Sequence, residues 1–243
     1  MQEVGVAVPC YQHGKYLGQM LESLRLQSYG AWQCVVVIDG PDAEAETVAV
    51  QHMRHDPRIR VVILQKRAGE AAARNLAIRD LRTPWIMPFD ADDWMDGDHL
   101  HNLMRMATDI PHPEGRYNVF FSPARLVYDD GRKTVYTYPP YDPETIADQV
   151  QLPGSSLYPR ALYDRLRGYD EQWNRGATDW MFYVRATQLG ILNPVQVFPS
   201  SWNYRQHSGY RAHREGALHL EVLKREMRRA LRGERAFGEP LVL

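Results

Sequence analysis

Thr83-Pro84-Trp85-Ile86-Met87-Pro88-Phe89-Asp90-Ala91-Asp92-Asp93-Trp94 is a run of strand character that ends in three carboxylates within four residues. A buried strand accommodates Trp85, Ile86, Met87 and Phe89 but not unpaired acids, so the acids belong where the chain leaves the core. Asp90 and Asp92, spaced i, i+2, turn toward one point if the chain bends between them, and Ala91 is small enough for the bend. Hard oxygen ligands suit magnesium or manganese, with phosphate oxygens and water completing the shell. The competing reading is an acidic loop ahead of a helix, with Asp93 or Asp96 as its N-cap.

Working upstream, there are three more apolar runs, two of which end in polar or acidic groups. Val4-Gly5-Val6-Ala7-Val8 runs through Pro9 into the polar loop Cys10-Tyr11-Gln12-His13-Gly14, and a helix follows from Lys15 with Leu17, Met20, Leu21 and Leu24 on one face. Cys34-Val35-Val36-Val37-Ile38 ends at Asp39-Gly40, and residues 43–54 read as a helix. Arg60-Val61-Val62-Ile63-Leu64 is a third strand, and an alanine-rich helix spans Glu70 to Leu81. Continuous rather than alternating hydrophobicity between helices predicts a parallel sheet covered on both faces. Ligands of such sheets bind beyond the carboxyl ends of the strands, where Tyr11 to His13, Asp39 and Asp90 to Asp93 converge.

Downstream the pattern is less regular. A helix is expected over 98–107, a strand over Asn118–Ser122, and a hairpin over 125–138 turning at Asp129-Asp130-Gly131. A short helix is expected after Pro143, a helical turn at 161–167, and a helix from Asp179 to Leu189 with Thr178 or Asp179 as cap. Short strands at 195–198 and 202–205 lead to His207, and a long helix runs from Ala212 to Arg232.

Composition excludes several classes. Twenty-nine basic against thirty acidic side chains give a net charge of −1, which offers no general attraction for nucleic acid. No apolar run approaches the roughly 20 residues of a membrane span, and the start of the chain lacks signal-peptide character. Cys10 and Cys34, without metal-ligand spacing, read as small buried thiols. A cytoplasmic protein is expected. Lys224, Arg225, Arg228, Arg229 and Arg232 would allow peripheral contact with an anionic membrane, but Glu221, Glu226 and Glu234 among them favour a solvated or packed face.

The sequence resembles the family 2 glycosyltransferases over roughly residues 4 to 210. The resemblance rests on Val6-Ala7-Val8-Pro9-Cys10-Tyr11, Val35-Val36-Val37-Ile38-Asp39-Gly40, Ala73-Arg74-Asn75 and Asp90-Ala91-Asp92-Asp93. Gly168-Tyr169-Asp170-Glu171, Thr178-Asp179-Trp180 and Tyr204-Arg205-Gln206-His207 complete it. It implies an α/β fold of GT-A type, Rossmann-like, with a mostly parallel central sheet flanked by helices. Residues 1–210 would form one domain, with a nucleotide-binding half over about 1–95 and an acceptor half over about 96–210, followed by a helical tail at 211–243.

The resemblance also implies roles. Pro9, Tyr11, Asp39, Arg74, Asp90 and Ala91 would surround the donor, with Asp39 accepting from a base N–H, Tyr11 stacking on the base, and Arg74 or Arg67 near the phosphates. Asp92 would ligate Mn2+ or Mg2+ directly, aided by Asp90 and His207. Asp179 would be the general base of an inverting displacement. Thr178 stands where the family has a glutamate. Asp170, Trp94, Trp173 and Trp180 are candidates for the acceptor side. The implied activity is sugar transfer from a nucleotide diphosphate donor, uridine favoured through Asp39, to a carbohydrate, lipid-linked or protein hydroxyl. The alternatives are a sugar nucleotidyltransferase, which needs a glycine-rich basic loop absent after the first strand, and a nucleotide-sugar-binding module without transfer activity.

Overall fold

The computed structural model describes residues 2–173, 176–207 and 216–239. Its strands are β1 (Val4–Cys10), β2 (Trp32–Asp39), β3 (Ile59–Leu64), β4 (Trp85–Pro88), β5 (Trp94–Met95), β6 (Tyr117–Phe121), β7 (Ala124–Tyr128), β8 (Lys133–Tyr136), β9 (Tyr158–Pro159), β10 (Leu192–Gln196) and β11 (Trp202–Gln206). Its helices are α1 (Gly14–Arg25), α2 (Ala43–His55), α3 (Glu70–Asp80), α4 (His99–Asp109), α5 (Arg160–Leu166), α6 (Thr178–Gln188) and α7 (Gly216–Leu231).

The apolar runs of the first half form the sheet β3-β2-β1-β4, every neighbouring pair parallel, and the short β9 closes it antiparallel to β4. Parallel neighbours need a crossover, and the helices between strands supply it. α3 lies across β1 and β2, while α2 packs on α1 and β3. Covered in this way, Val4, Val6, Val8, Val35, Val36 and Val37 have no exposed surface, which is why their runs are continuous rather than alternating.

The second half extends the sheet. Leu157, just ahead of β9, exchanges backbone hydrogen bonds with Phe120 of β6, and β6 pairs in parallel with β10. A separate four-stranded sheet has the order β5-β11-β7-β8. Here β5 is only two residues long, yet its antiparallel pairing with β11 ties the acid loop after β4 to the far end of the chain.

Three details of the second half depart from expectation. Residues 143–148 form turns rather than a short helix, with Ile146 and Ala147 buried beneath them. The strand expected at 195–198 lies at Leu192–Gln196, drawn there by its register with Tyr117–Phe121. α6 takes neither Thr178 nor Asp179 as N-cap; that position is Ala177, in the left-handed region at φ 53°. The loop at 208–210 and the start of the expected tail helix lie outside the described residues.

α7 packs on α6 and buries Leu223, Met227 and Ala230. Its basic residues are paired: Lys224 with Glu221, Arg225 and Arg229 with Glu226, Arg228 with Asp148 and Arg232 with Glu234. Among the described residues no helix is long and apolar enough to cross a membrane. Cys10 and Cys34 are free and buried, and burial, followed by the charge of Asp42, pushes the Cys10 thiol up to about 12.

Candidate active site

Because β1 to β4 are parallel, their carboxyl ends share one rim, and the register places Cys10 beside Ile38 and Asp39 beside Leu64. Asp39 is buried there. Its Oδ1 accepts from the Ala68 N–H at 2.6 Å and its Oδ2 from the Gly69 N–H at 2.9 Å, so it closes the 65–69 loop at the start of α3. Each oxygen retains acceptor capacity after one such bond. Gly40 turns away from it at φ +103°, and a Cβ there would sit 3.3 Å from the Arg67 nitrogen. A glycine lets the loop come this close. The Arg67 guanidinium in turn stacks 4.1 Å over the Tyr11 ring, just beyond half-buried Pro9.

The acid loop separates its carboxylates. Phe89 is still tied to β1 through the Ala7 carbonyl, and the chain then turns, with Ala91 buried at the bend. Asp92 points toward two imidazoles: its Oδ2 lies 2.9 Å from His207 Nε2 and its Oδ1 3.6 Å from His13 Nδ1. His13 comes from the loop after β1 and His207 from the end of β11. The pairing of Asn203 with Trp94, and the Arg205 N–H donated to Asp93 Oδ1 at 2.9 Å, bring β11 to this point. Arg205 also donates from Nε to the Asp92 carbonyl. Tyr16 Oη, 3.3 Å from His207 Nδ1, orients that ring.

This donor set fits a divalent cation. One ligand atom from each of His13, Asp92 and His207 lies within 4.8 Å of the others. Adjacent ligands about 2.1 Å from one ion stand about 3 Å apart, close to the spacings observed. Asp90 is not in this group. Its Oδ1 accepts from Arg74 at 2.9 Å, on the other side of the bend. Asp93 is buried, with Oδ2 lacking a partner. Burial first, then the charges of Asp92 and Asp90, hold its carboxyl well above the usual range.

Arg74, 2% exposed, ties α3 to the acid loop and to α6. It donates to Glu70 at 2.7 Å, to Asp90, and to the Thr178 hydroxyl at 2.6 Å. Burial alone would lower its pKa; Glu70 and Asp90 outweigh this and hold it well above the usual value. The bond from Arg74 engages the Thr178 hydroxyl, which makes no cap for α6. Asp179 stands in the first turn of α6, half-buried. Burial raises its pKa; Arg74 opposes the rise, and Asp90 adds to it. A Cβ at Gly154 would lie 2.8 Å from Asp179 Oδ2, so any larger residue there would have to displace this carboxylate.

The remaining expected residues divide. Trp94 is half-buried, with the Arg205 guanidinium 4.8 Å from its ring. Trp173 is fully buried, its Nε1 donating to the Gly176 carbonyl, and Trp180 is buried with Nε1 on the Ile146 carbonyl. Both indoles are packed into the core, because each buried N–H finds a carbonyl there, and neither offers a free face. Asp170 accepts from the backbone of Gln172 and Gly238, so it holds a turn and the C-terminal segment instead of facing the acid loop. Asn75 likewise bridges Tyr169, Glu171 and Tyr163. The sequence assigned no role to His13, Glu70 or Arg205, although His13 stands in the Tyr11 to His13 loop and Arg205 in the Tyr204–His207 motif. His13 and Glu70 carry no motif spacing, and the only signal was that each adjoins a strand-end loop.

The family model described as Glycosyl transferase family 2 matches residues 5–166. A glycosyltransferase of Bacillus subtilis (strain 168), YwdF, is 26% identical over 188 residues, covering 76% of this chain and 68% of the relative. The solved structure of Staphylococcus aureus TarS 1-349 in complex with UDP superposes with a TM-score of 0.69 at 17% identity, over 96% of this chain and 65% of that one. A mannosyltransferase from Pyrobaculum calidifontis in complex with GDP-Man and Mn2+ gives 0.68 at 17% identity, over 93% of this chain and 64% of that one. The chain thus spans about two thirds of the length of these relatives, and the shared fold is GT-A.

Proposed function

The chain belongs to glycosyl transferase family 2, a family of transferase enzymes, and from that premise we propose a metal-assisted, inverting transfer of a sugar from a nucleoside diphosphate donor to an acceptor hydroxyl. The observation that carries this reading is the gathering of Asp92, His13 and His207 at the rim that also holds Asp39, with Asp179 on α6 next to the Thr178 that Arg74 ties to Asp90. Uridine diphosphate is the favoured nucleotide, and surface polysaccharide assembly the favoured setting; relatives of the fold bind UDP and GDP-Man.

In this reading Asp39 and the Tyr11–Arg67 stack receive the base at the ends of β1 and β2. Asp92 with the two imidazoles holds the cation, which neutralises charge on the departing diphosphate. Two nitrogens and one carboxylate favour manganese over magnesium, which prefers an all-oxygen shell. Asp179 takes the proton of the attacking hydroxyl as its oxygen bonds to the sugar, and its raised pKa suits a base. Arg74 keeps Asp90 and Asp179 apart from the cation cluster.

Calorimetric titration of UDP and GDP, with and without Mn2+, against wild type and Asp92→Ala tests it. One nucleotide should bind wild type in a metal-dependent manner, and the variant should lose at least tenfold in affinity. Equal binding by both proteins removes the metal assignment.

A further inference from the structure

α6 presents one carboxylate at its start, Asp179, and a hydroxyl beside it, Thr178, where the resemblance leads one to expect a second acid. The structure brings a carboxylate to that hydroxyl from elsewhere. Glu70, the first residue of α3, pairs with Arg74 at 2.7 Å, and the same guanidinium donates to the Thr178 hydroxyl at 2.6 Å and to Asp90 at 2.9 Å. Three side chains from α3, the acid loop and α6 thus meet around one guanidinium.

An acid in a helix's first turn is ordinarily explained by the helix dipole. That explains why an acid stands at the start of α3; it does not explain why it shares one guanidinium with Thr178 of α6. Arg74 would be paired by Asp90 alone. Glu70 also keeps 41% of its side-chain surface exposed. A carboxylate has about four acceptor sites, and one guanidinium N–H leaves others open. Its pKa is raised, by lost solvation first and then by Asp90 and Asp179 against the opposing Arg74, even though part of the side chain meets solvent. That Asp179 is felt at all puts the two carboxylates in one electrostatic neighbourhood.

We propose that Glu70 is the acceptor-binding carboxylate of this enzyme, delivered by α3 to the place that Thr178 leaves unfilled on α6. It accepts a hydrogen bond from an acceptor hydroxyl next to the one Asp179 deprotonates, and so orients the attacking oxygen. With Glu70, Asp90 and Asp179 around a single Arg74, the acceptor class is a neutral polyhydroxylated sugar, not an anionic one. The inference rests on the glycosyltransferase reading above.

The test uses the full chain as wild type, Glu70→Ala, Glu70→Gln, and the double variant Glu70→Ala/Thr178→Glu. Nucleotide release is measured from UDP-glucose, UDP-N-acetylglucosamine and GDP-mannose, with water alone and with neutral methyl glycosides as acceptor probes. Binding of the free nucleotide with Mn2+ and the melting temperature are measured in parallel. Glu70→Ala and Glu70→Gln should lower turnover at least tenfold, with nucleotide affinity changed less than twofold, and the double variant should recover at least a third of wild-type turnover. Turnover of Glu70→Ala within twofold of wild type overturns the proposal. So does a loss matched by weaker nucleotide binding and a lower melting temperature, or a double variant no better than Glu70→Ala. Wild type that neither binds nucleotide nor releases it from any donor overturns the glycosyltransferase reading itself, which no Glu70 variant can do.

Discussion

Asp90 and Asp92 are two residues apart in one loop, yet they belong to different halves of the site. Asp92 faces two imidazoles, groups that exchange a proton for a metal ion. Asp90 faces a guanidinium, which stays charged and ligates nothing. The difference shows two surroundings for one acidic motif: one carboxylate stands beside groups able to hold a cation, and its neighbour is neutralised by a fixed charge. Without that second partner, two adjacent anions beside Asp93 would repel each other and compete for the ion.

Several substitutions break or sharpen this contrast. The largest effect is expected on the guanidinium side, from Asp179→Asn, which keeps shape but removes the base. Turnover should fall by roughly 10²–10⁴ while Mn2+-dependent nucleotide binding is retained; normal turnover would remove Asp179 from the chemistry. In wild type, kcat/KM should fall as pH drops through the Asp179 pKa. Because that pKa is raised, the midpoint of the acid limb should lie above 3.8, and the limb should vanish in the asparagine variant.

Gly154→Ala comes next. Its Cβ would press on Asp179 Oδ2 at 2.8 Å, and a displacement on the order of 1 Å at a reacting group costs about 10² in rate. Steady-state kinetics should show the loss in kcat, with nucleotide affinity unchanged.

The imidazole side is sharpened by Tyr16→Phe. Losing the contact to His207 Nδ1 should weaken Mn2+ binding by roughly tenfold, read directly by calorimetry or by electron paramagnetic resonance of the free ion. Asp90→Ala is the contrast, and the smallest effect on this measure: Mn2+ affinity should stay within about threefold, since its partner is Arg74 and not the cluster. A loss as large as that of Asp92→Ala would mean the two carboxylates share one ion after all.

The sequence by itself determined the sheet and its rim. Four continuous apolar runs, three of them ending in polar or acidic groups, require strands buried on both faces. Strands that run parallel bring their carboxyl ends to one edge, so Asp39 and Asp92 had to share a rim. These are local signals, carried by a few consecutive residues. What only the tertiary structure decided is who meets whom across long separations. His13 and His207 converge on Asp92 because β5 pairs with β11, and Glu70 meets Thr178 because Arg74, buried between α3 and α6, needs both. Trp173 and Trp180 are indistinguishable in sequence from a sugar platform, and only packing put their faces inside. The reason is the same in each case: a side chain's partner is set by the whole chain's closure, whereas its element is set by its own neighbours.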